Sequence, residues 1–574
     1  MTATHEPGSV QKLSTEGLSS DGLKRDVGIL GLLWASEGSI IGSGWLFAGF
    51  TAVTIAGPAA MISWAIASVI VIILALVHAE LGGLFPVSGG TSRFPHYAFG
   101  SLAGATFGWF SYIQAATVAP IEVLAAIQYM SSASWASGWY NGATGTLSGA
   151  GIAVAIVLMF IFVVLNLIGI RWLTRANNAI TSWKVVVPVF TVIVLMLTHF
   201  NSSNFTAGGG FFVGPDHGLK TILGATSIGG IVFALLGFEQ AVQLGGESAH
   251  PQRDLPRAVI GSILIGAAIY FLAQVAFIGA LDPGTIARYH TWANLTQDAG
   301  LNASPFYTVA KVASLGWLAW ILRLDAVISP AGTGLIYLTS ASRISFGLSK
   351  NGYIPARFEA RNERTKIPVF GVILSALVGL LFLLPFPSWS KLVGVVTAAS
   401  VLMYAGAPLA LGALRRSKPQ LERSYRMPVG HVLAPISFIL ANYIVYWAGW
   451  QTYSTLMVVM IIGYALMLIS GALHLNPNQP QVDWGAAVWI FPYLIGMGVI
   501  SYYGGFGPGG IVGGVGVFKT VLVGGAGHLG LYWDLLVLAG FSLVIYYLAV
   551  YKRLPESKVD EYVRDVYPPP AMEG

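Results

Sequence analysis

Glu37-Gly38-Ser39-Ile40-Ile41-Gly42-Ser43-Gly44 interrupts a hydrophobic stretch that is long enough to cross a membrane. A helix in lipid must satisfy its own backbone N–H and C=O groups, so unwound backbone has to face protein, water or a ligand. Three glycines fall within this stretch, and the carboxylate of Glu37 stands at its start. The pattern therefore predicts a broken helix and a binding site near the middle of the bilayer.

The composition of the whole chain places it in a membrane. Hydrophobic residues make up 55% of the 574 residues and charged residues only 9%, whereas soluble domains carry about 25% charged residues. The first 26 residues are polar and contain no apolar core of a signal peptide. The sequence contains no cysteine, which excludes disulfides and thiol chemistry.

Apolar runs predict an all-α polytopic protein with fourteen transmembrane helices. These are expected at roughly 28–55, 58–84, 100–130, 149–170, 178–199, 219–246, 256–281, 308–342, 367–385, 391–413, 432–450, 454–473, 484–503 and 530–551. Lys and Arg are densest in the connections 343–366 and 415–426, and this bias predicts that both termini lie in the cytoplasm. The glycine-rich segments 201–218 and 504–529 are predicted to be external loops. The segment 282–307 is predicted to be a long loop at the external mouth.

A second interruption lies in the sixth predicted helix, at 236–240, where Gly237-Phe238-Glu239 repeats the combination of glycine and carboxylate. The two interruptions are five helices apart, an odd number, so the two halves run through the membrane in opposite directions. Close helix packing is the alternative explanation of a single glycine cluster. The predicted units are a tail at 1–26, a first repeat at 27–200, a second repeat at 219–414, helices 11–14 at 430–552 and a tail at 553–574.

Several motifs resemble the amino acid–polyamine–organocation transporters. They are Gly38–Gly44 followed by Trp45-Leu46-Phe47, Pro86-Val87-Ser88-Gly89-Gly90 with Phe99-Gly100, Gly237-Phe238-Glu239, and Glu247 with Pro251, Arg253, Pro256 and Arg257. The stretch Asp325–Leu348 resembles a fourteen-helix prokaryotic branch that includes proteins similar to aspartate–proton symporters. The resemblance implies a LeuT-like 5+5 inverted repeat with four additional C-terminal helices.

The resemblance also implies where an amino acid binds. The carboxylate of the substrate would meet the first interruption, and its ammonium would meet backbone carbonyls of the second. Carried over to this chain, the substrate-binding residues are Ser39, Ile40, Gly42, Ser43, Gly44, Phe233, Ala234, Leu235, Phe238 and Glu239.

Three ionisable residues are candidates for proton coupling. Lys184 lies on the fifth predicted helix, where some proton-coupled relatives place a lysine; the alternative is a lysine that snorkels to the interface. Glu37 departs from the family pattern, and it could bind a cationic group, pair with a lysine, carry a proton or support a helix end. Glu122 follows Pro120 in the third predicted helix and is a candidate protonatable group.

Other residues are candidates for gating or specificity. Arg323 and Asp325 are two residues apart on one helix, so they point in different directions and cannot simply neutralise each other. Trp45 is a candidate wall of the cavity. Glu247 and Arg253 are expected to form a structural ion pair.

The sequence predicts a secondary transporter that imports amino acids into a prokaryotic cell across the cytoplasmic membrane, with protons as the coupled ion. Neither a phosphate-binding loop nor a metal-ligand cluster is evident, so no enzyme activity, cofactor, metal or nucleic acid partner is expected. The expected partners are an amino acid, protons and membrane lipid. An exchanger of the same fold, a potassium-type cation transporter and a nutrient sensor remain as alternatives.

Overall fold

The computed structural model describes residues 25–142, 144–168, 170–213, 218–362, 367–383, 388–506, 527–528, 530–564 and 566, without the side chains of 170–178 and 391. Most of the predicted N-terminal tail and most of the loop at 504–529 lie outside these residues.

The described residues form α-helices joined by short connections. The helices are α1 (Ile29–Ile40), α2 (Ser43–Ala56), α3 (Ala60–Leu84), α4 (Gly90–Phe99), α5 (Ser101–Met130), α6 (Gly149–Ile168), α7 (Ile170–Thr198), α8 (Leu219–Ile228), α9 (Ile231–Ala234), α10 (Glu239–Gln243), α11 (Pro251–Ala280), α12 (Pro283–Tyr289), α13 (Ala299–Ala303), α14 (Pro305–Val312), α15 (Gly316–Lys350), α16 (Val369–Leu383), α17 (Trp389–Ser417), α18 (Gly430–Trp447), α19 (Trp450–Ala472), α20 (Trp484–Ala487), α21 (Ile490–Tyr503), α22 (Leu531–Lys552) and α23 (Glu556–Val563). Two short antiparallel strands, β1 (Tyr140–Asn141) and β2 (Thr146–Leu147), form a hairpin after α5.

The helices confirm an all-α polytopic membrane protein. Eleven helical stretches among the described residues are long and apolar enough to cross a membrane. One of them, Ser43–Leu84, consists of α2 and α3 with a 3-10 turn at Gly57–Ala59 between them. The shorter apolar helix α16 and the interrupted series α8 to α10 occupy two further predicted spans. The count of fourteen stays a prediction.

Several boundaries differ from the predicted ones, and prolines and capping side chains account for some of the differences. Helix α11 begins at Pro251 rather than at 256, because proline is tolerated in the first turn of a helix. The expected long loop 282–307 contains α12 and α13, whose first turns are capped by Asp282 and Asp298. Pro305 begins α14, so the eighth long helix starts at 316 rather than at 308.

Besides α12 and α13, two further helices lie where no helix was predicted. Helix α4 follows the Pro86–Gly90 turn, and Gly89 adopts the left-handed backbone region with a φ of 69°. Helix α23 lies in the predicted C-terminal tail, and its Val559 is fully buried. The described part of this tail is therefore packed onto the bundle.

Both predicted interruptions are present. Between α1 and α2 the chain leaves the helix at Ile41 and Gly42. The second interruption is longer than predicted, because α8 ends at Ile228, a single turn forms α9, and α10 begins only at Glu239. Gly230 and Gly237 have φ values of 82° and 128°, which residues other than glycine rarely adopt.

The two interruptions lie against each other in the centre of the bundle. A Cβ atom added to Gly44 would lie 2.7 Å from the Cβ of Ala234, and one added to Gly237 would lie 2.6 Å from the backbone nitrogen of Ile40. This contact joins α2 to α9 and the end of α1 to the turn before α10. The glycines therefore bring the two unwound segments within reach of one ligand.

Candidate substrate and coupling site

A small cavity lies between the two interruptions. Its volume is about 10 Å³, roughly room for one water molecule, so an amino acid would need the surrounding helices to move apart. Several predicted substrate-binding residues line it, and the complete lining is Ser39, Ile40, Gly42, Gly44, Val118, Glu122, Phe233, Leu236, Thr333 and Tyr337.

The start of α2 already binds a carboxylate. The backbone N–H of Ser43 donates to Oε2 of Glu122 at 2.8 Å, and the Ser43 hydroxyl donates to Oε1 at 3.0 Å. Trp389 of α17 donates its indole N–H to the same hydroxyl at 2.8 Å. The first turn of a helix has free N–H groups and a positive dipole end, so it favours an anion. The side chain of Glu122 holds the position that the resemblance assigns to the substrate carboxylate.

Lys184 is fully buried and bonded to the first interruption. Its ammonium donates to the carbonyl oxygen of Gly38 and to the Thr333 hydroxyl, which lies 2.7 Å away. Thr333 in turn donates to the carbonyls of Gly38 and Ile41 at 3.0 and 3.3 Å. The lysine therefore does not snorkel to the interface but links α7 and α15 to the unwound end of α1.

Residues of the second interruption divide into two groups. Phe233 lines the cavity, and Ala234 packs on Gly44. Phe238 instead stacks on Tyr404, with ring centroids 4.9 Å apart. Leu235 and Phe238 are both fully buried and do not line the cavity.

Glu239 holds the unwound segment together. Its carboxylate accepts from the backbone N–H of Gly237 at 2.9 Å, from Tyr404 at 2.5 Å and from Tyr337 at 3.1 Å. Gln114 of α5 donates to it at 3.4 Å. Because Tyr337 also lines the cavity, Glu239 reaches the site through that ring rather than directly.

Glu37 is fully buried, and no described group donates a hydrogen bond to either of its carboxylate oxygens. On the same helix, Leu33 and Ile40 pack on Gly261 and Gly266 of α11. Glu37 lies between these two contacts, about one turn from each, so its side chain belongs to the face of α1 that covers α11. It does not line the cavity.

Arg323 and Asp325 point apart, as their spacing predicts. Asp325 accepts from the indole N–H groups of Trp45 and Trp183, both at 2.9 Å, and from Ser329 at 2.6 Å. Arg323 lies over the ring of Tyr307, 4.3 Å from its centroid. Neither residue lines the central cavity.

The predicted ion pair between Glu247 and Arg253 is wrong. Glu247 pairs with Arg343 of α15 at 2.6 Å, whereas Arg253 pairs with its neighbour Asp254 at 2.8 Å. Helix α11 begins at Pro251 and carries Arg253 toward solvent, where its side chain is 57% exposed.

Sequence reasoning missed the residues that connect these groups. Thr333, Trp183 and Trp389 contact predicted site residues directly. Trp389 is 346 residues from Ser43 along the chain, so no local pattern could have paired them. A polar residue inside an apolar helix was the available signal for Thr333, within Ser329–Gly334.

Comparison with known proteins identifies the family. The profile of the family described as amino acid permease matches residues 27–467, a span that contains both interruptions, Glu122 and Lys184. The chain belongs to the amino acid permease family. Two relatives of this permease from Bacillus subtilis cover nearly all of it: a glutamate/serine transporter, AimA, is 35% identical over 95% of this chain and 96% of its own length, and an aspartate-proton symporter is 32% identical over 94% and 98%. The branched-chain amino acid permease BcaP of the same organism is 25% identical over 82% of this chain and 98% of its own length.

The family assignment confirms the resemblance to amino acid–polyamine–organocation transporters and the prediction of a secondary amino acid transporter in a membrane. Within the described residues, no group of three or more His, Asp or Glu side chains is placed to hold a metal ion.

Proposed function

We propose that this permease imports a small polar or acidic amino acid together with a proton across the cytoplasmic membrane, by alternating access. The two interruptions that lie against each other at the centre of the bundle carry this proposal, because they supply backbone groups of both polarities to one cavity. The substrate class follows relatives named as a glutamate/serine transporter and an aspartate-proton symporter.

The amino acid head is recognised by backbone. The first turn of α2, with Ser43 and Gly44, receives the substrate carboxylate, and Ser39 and Gly42 complete that wall. The ammonium faces carbonyls of the second interruption near Phe233 and the end of α1 near Ile40. Neither group of contacts touches the side chain of the substrate. Preference for one side chain therefore depends on the residues that surround the cavity once the helices have moved apart.

Glu122 couples a proton to the substrate. Its carboxylate occupies the Ser43 N–H and hydroxyl, so a substrate carboxylate can bind there only when Glu122 leaves. Protonation removes the charge that holds Glu122 at the helix end and allows the exchange. A proton and a substrate carboxylate then enter together, which is symport.

Glu122→Gln tests this coupling step. The amide cannot carry a negative charge, so we expect amino acid binding to persist while a proton gradient no longer drives accumulation. Uptake into proteoliposomes with and without an imposed pH gradient measures the effect. Glu422→Gln, at an exposed residue outside the spans, is the matched control. Undiminished gradient-driven accumulation by Glu122→Gln would contradict the role.

Lys184 and Glu37 are the other proposed proton-coupling groups. Lys184 binds the unwound end of α1, so a change in its charge alters the link among α1, α7 and α15. Glu37 lacks a described donor, and a buried carboxylate without donors is costly unless it holds a proton.

Transport itself is tested by uptake of radiolabelled glutamate, aspartate and serine into proteoliposomes. We expect uptake into vesicles without internal amino acid, accelerated by an inward proton gradient. Uptake that requires internal amino acid and ignores the gradient would establish exchange instead. If none of the three amino acids is taken up and the protein instead carries a flux of potassium, the protein is a cation transporter.

We also propose that both termini lie in the cytoplasm. The cation-rich connections 343–366 and 415–426 then lie on the same side as the termini, as the positive-inside rule requires.

A further inference from the structure

A groove on the outer surface of the bundle is separate from the transport site. It lies between α5, α15, α16 and α19 and has a volume of about 290 Å³. Its walls are predominantly apolar and include Trp109, Leu348, Leu374 and Met467, while Phe358 lies at one end.

The groove faces the region that lipid occupies around a membrane protein. Leu466 and Ile469 of α19 line it and are 47% and 52% exposed. On α16, Phe370 and Leu377 are 50% and 54% exposed beside it. Exposed apolar side chains on membrane-spanning helices contact acyl chains, so the groove opens toward hydrocarbon rather than toward water.

Cationic side chains gather at the end of the groove where Phe358 lies. The Arg357 guanidinium lies 5.8 Å from the centroid of the Phe370 ring, and that ring lies 6.2 Å from the Phe358 ring. Arg361 and Lys350 both lie on the ring of Phe346, at 5.3 and 5.8 Å.

The charges at this end of the groove are not all neutralised internally. Lys350 pairs with Glu359 at 2.9 Å, whereas Arg357 is exposed and forms no ion pair with a described carboxylate. An apolar groove that ends at Arg357 matches a molecule with a long apolar chain and an anionic head. The acyl chain of a zwitterionic lipid would fill the groove equally well, but its headgroup would gain less from the charge of Arg357.

We propose that this groove binds an anionic glycerophospholipid. One acyl chain lies along the groove between Trp109 and Leu374, and the phosphate is bound by Arg357. The Phe370 ring beneath the Arg357 guanidinium holds it at the level of the headgroup. This inference does not depend on the transported substrate.

Native mass spectrometry of the delipidated full-length protein tests the proposal. Phosphatidylglycerol and phosphatidylcholine with identical acyl chains are the probes, together with glycerophosphoglycerol, which lacks acyl chains. We expect tighter binding of phosphatidylglycerol than of phosphatidylcholine and no retention of glycerophosphoglycerol. Equal retention of the two lipids by the wild-type protein would overturn the proposal, and so would binding of the chain-free headgroup as tightly as the lipid.

Three variants locate the site. Arg357→Gln should weaken phosphatidylglycerol binding about fivefold. Ala105→Leu fills part of the groove and should weaken both lipids. Lys552→Gln is the matched control, because Lys552 also lies over a ring, that of Tyr551 at 5.9 Å, but away from the groove. Equal losses in Lys552→Gln and the arginine variant, or unchanged binding in Ala105→Leu, would show non-specific adsorption. Size-exclusion chromatography confirms that each variant is folded.

Discussion

Lys184 connects three helices through one charged group. Its hydrogen bonds to Gly38 and Thr333 place a cation at the unwound end of α1, where a sodium ion would be repelled. Hydrogen bonds to a charged group contribute about 1.5–3 kcal/mol each, so this lysine stabilises the conformation in which the central cavity is small.

Replacement of Lys184 by alanine should remove the dependence of uptake on pH. We also expect initial uptake to fall about tenfold or more, because the link from α7 to α1 is lost. Uptake by proteoliposomes at several pH values checks both effects, and Lys311→Ala, an exposed lysine of α14, is the control. A pH profile identical to that of the wild-type protein would exclude Lys184 from coupling.

At the scale of elements, the contact between the interruptions depends on the absence of a side chain at Gly237. Gly237→Ala should abolish transport, because the new Cβ would lie 2.6 Å from the backbone nitrogen of Ile40 at a φ of 128°. A strained backbone conformation alone costs about 1–3 kcal/mol. Gly540→Ala on α22, with no neighbour within 4 Å of an added Cβ, is the control for uptake and for thermal stability. Normal transport by Gly237→Ala would show that transport does not need the close contact between Gly237 and Ile40.

Helix α23 docks on α4, which contacts the end of the second interruption. Tyr562 packs on the His96 ring with centroids 4.3 Å apart and donates to Asp483 at 2.7 Å. The N–H of Leu554 donates to the carbonyl of Ala98 at 3.0 Å. On the other side of α4, Gly89 donates its N–H to the carbonyl of Gln243 at 3.1 Å.

Acid should weaken this docking. Burial lowers the pKa of His96 from 6.5 to about 3, and the nearby charge of Arg93 lowers it further. His96 therefore binds a proton less readily in the docked form than in the undocked form. The docking of α23 is most stable above pH 6.5 and becomes less stable as the pH falls toward 3. The full shift corresponds to about 2 kcal/mol at pH 5, which is an upper limit for the loss because Arg93 and Tyr353 stay beside His96 when α23 undocks.

Hydrogen exchange of residues 554–564 at pH 7.5 and pH 5, corrected for the intrinsic exchange rate, measures this loss. His96→Gln should reduce the difference between the two pH values. Equal protection at both pH values in the wild-type protein would contradict the argument.

At the scale of the whole molecule, the orientation in the membrane can be tested directly because the chain contains no cysteine. Gly142→Cys, in the exposed hairpin after α5, should react with a membrane-impermeant maleimide in intact cells. Glu561→Cys on α23 should react only after permeabilisation. The reverse pattern would invert the proposed orientation, and the unmodified cysteine-free chain is the background control.

Helix positions and the two interruptions followed from the sequence because both depend on local properties. A span needs enough consecutive apolar residues, and an interruption needs glycine near mid-depth. Boundaries were predicted less well where a proline moved a helix start, as at Pro251, and a short helix was missed where an aspartate caps it, as at Asp282. Helix α23 was missed because its stability comes from packing on α4 rather than from its own composition.

The sequence by itself determined that this chain spans a membrane, that two of its helices are broken and that Lys184 and Glu122 carry charge into apolar spans. Only the tertiary structure decided which groups those charges contact. Glu122 meets Ser43 across 79 residues, and Lys184 meets Gly38 across 146. Such contacts depend on how each helix is rotated about its axis, and that rotation is set by packing of the whole bundle rather than by any one segment.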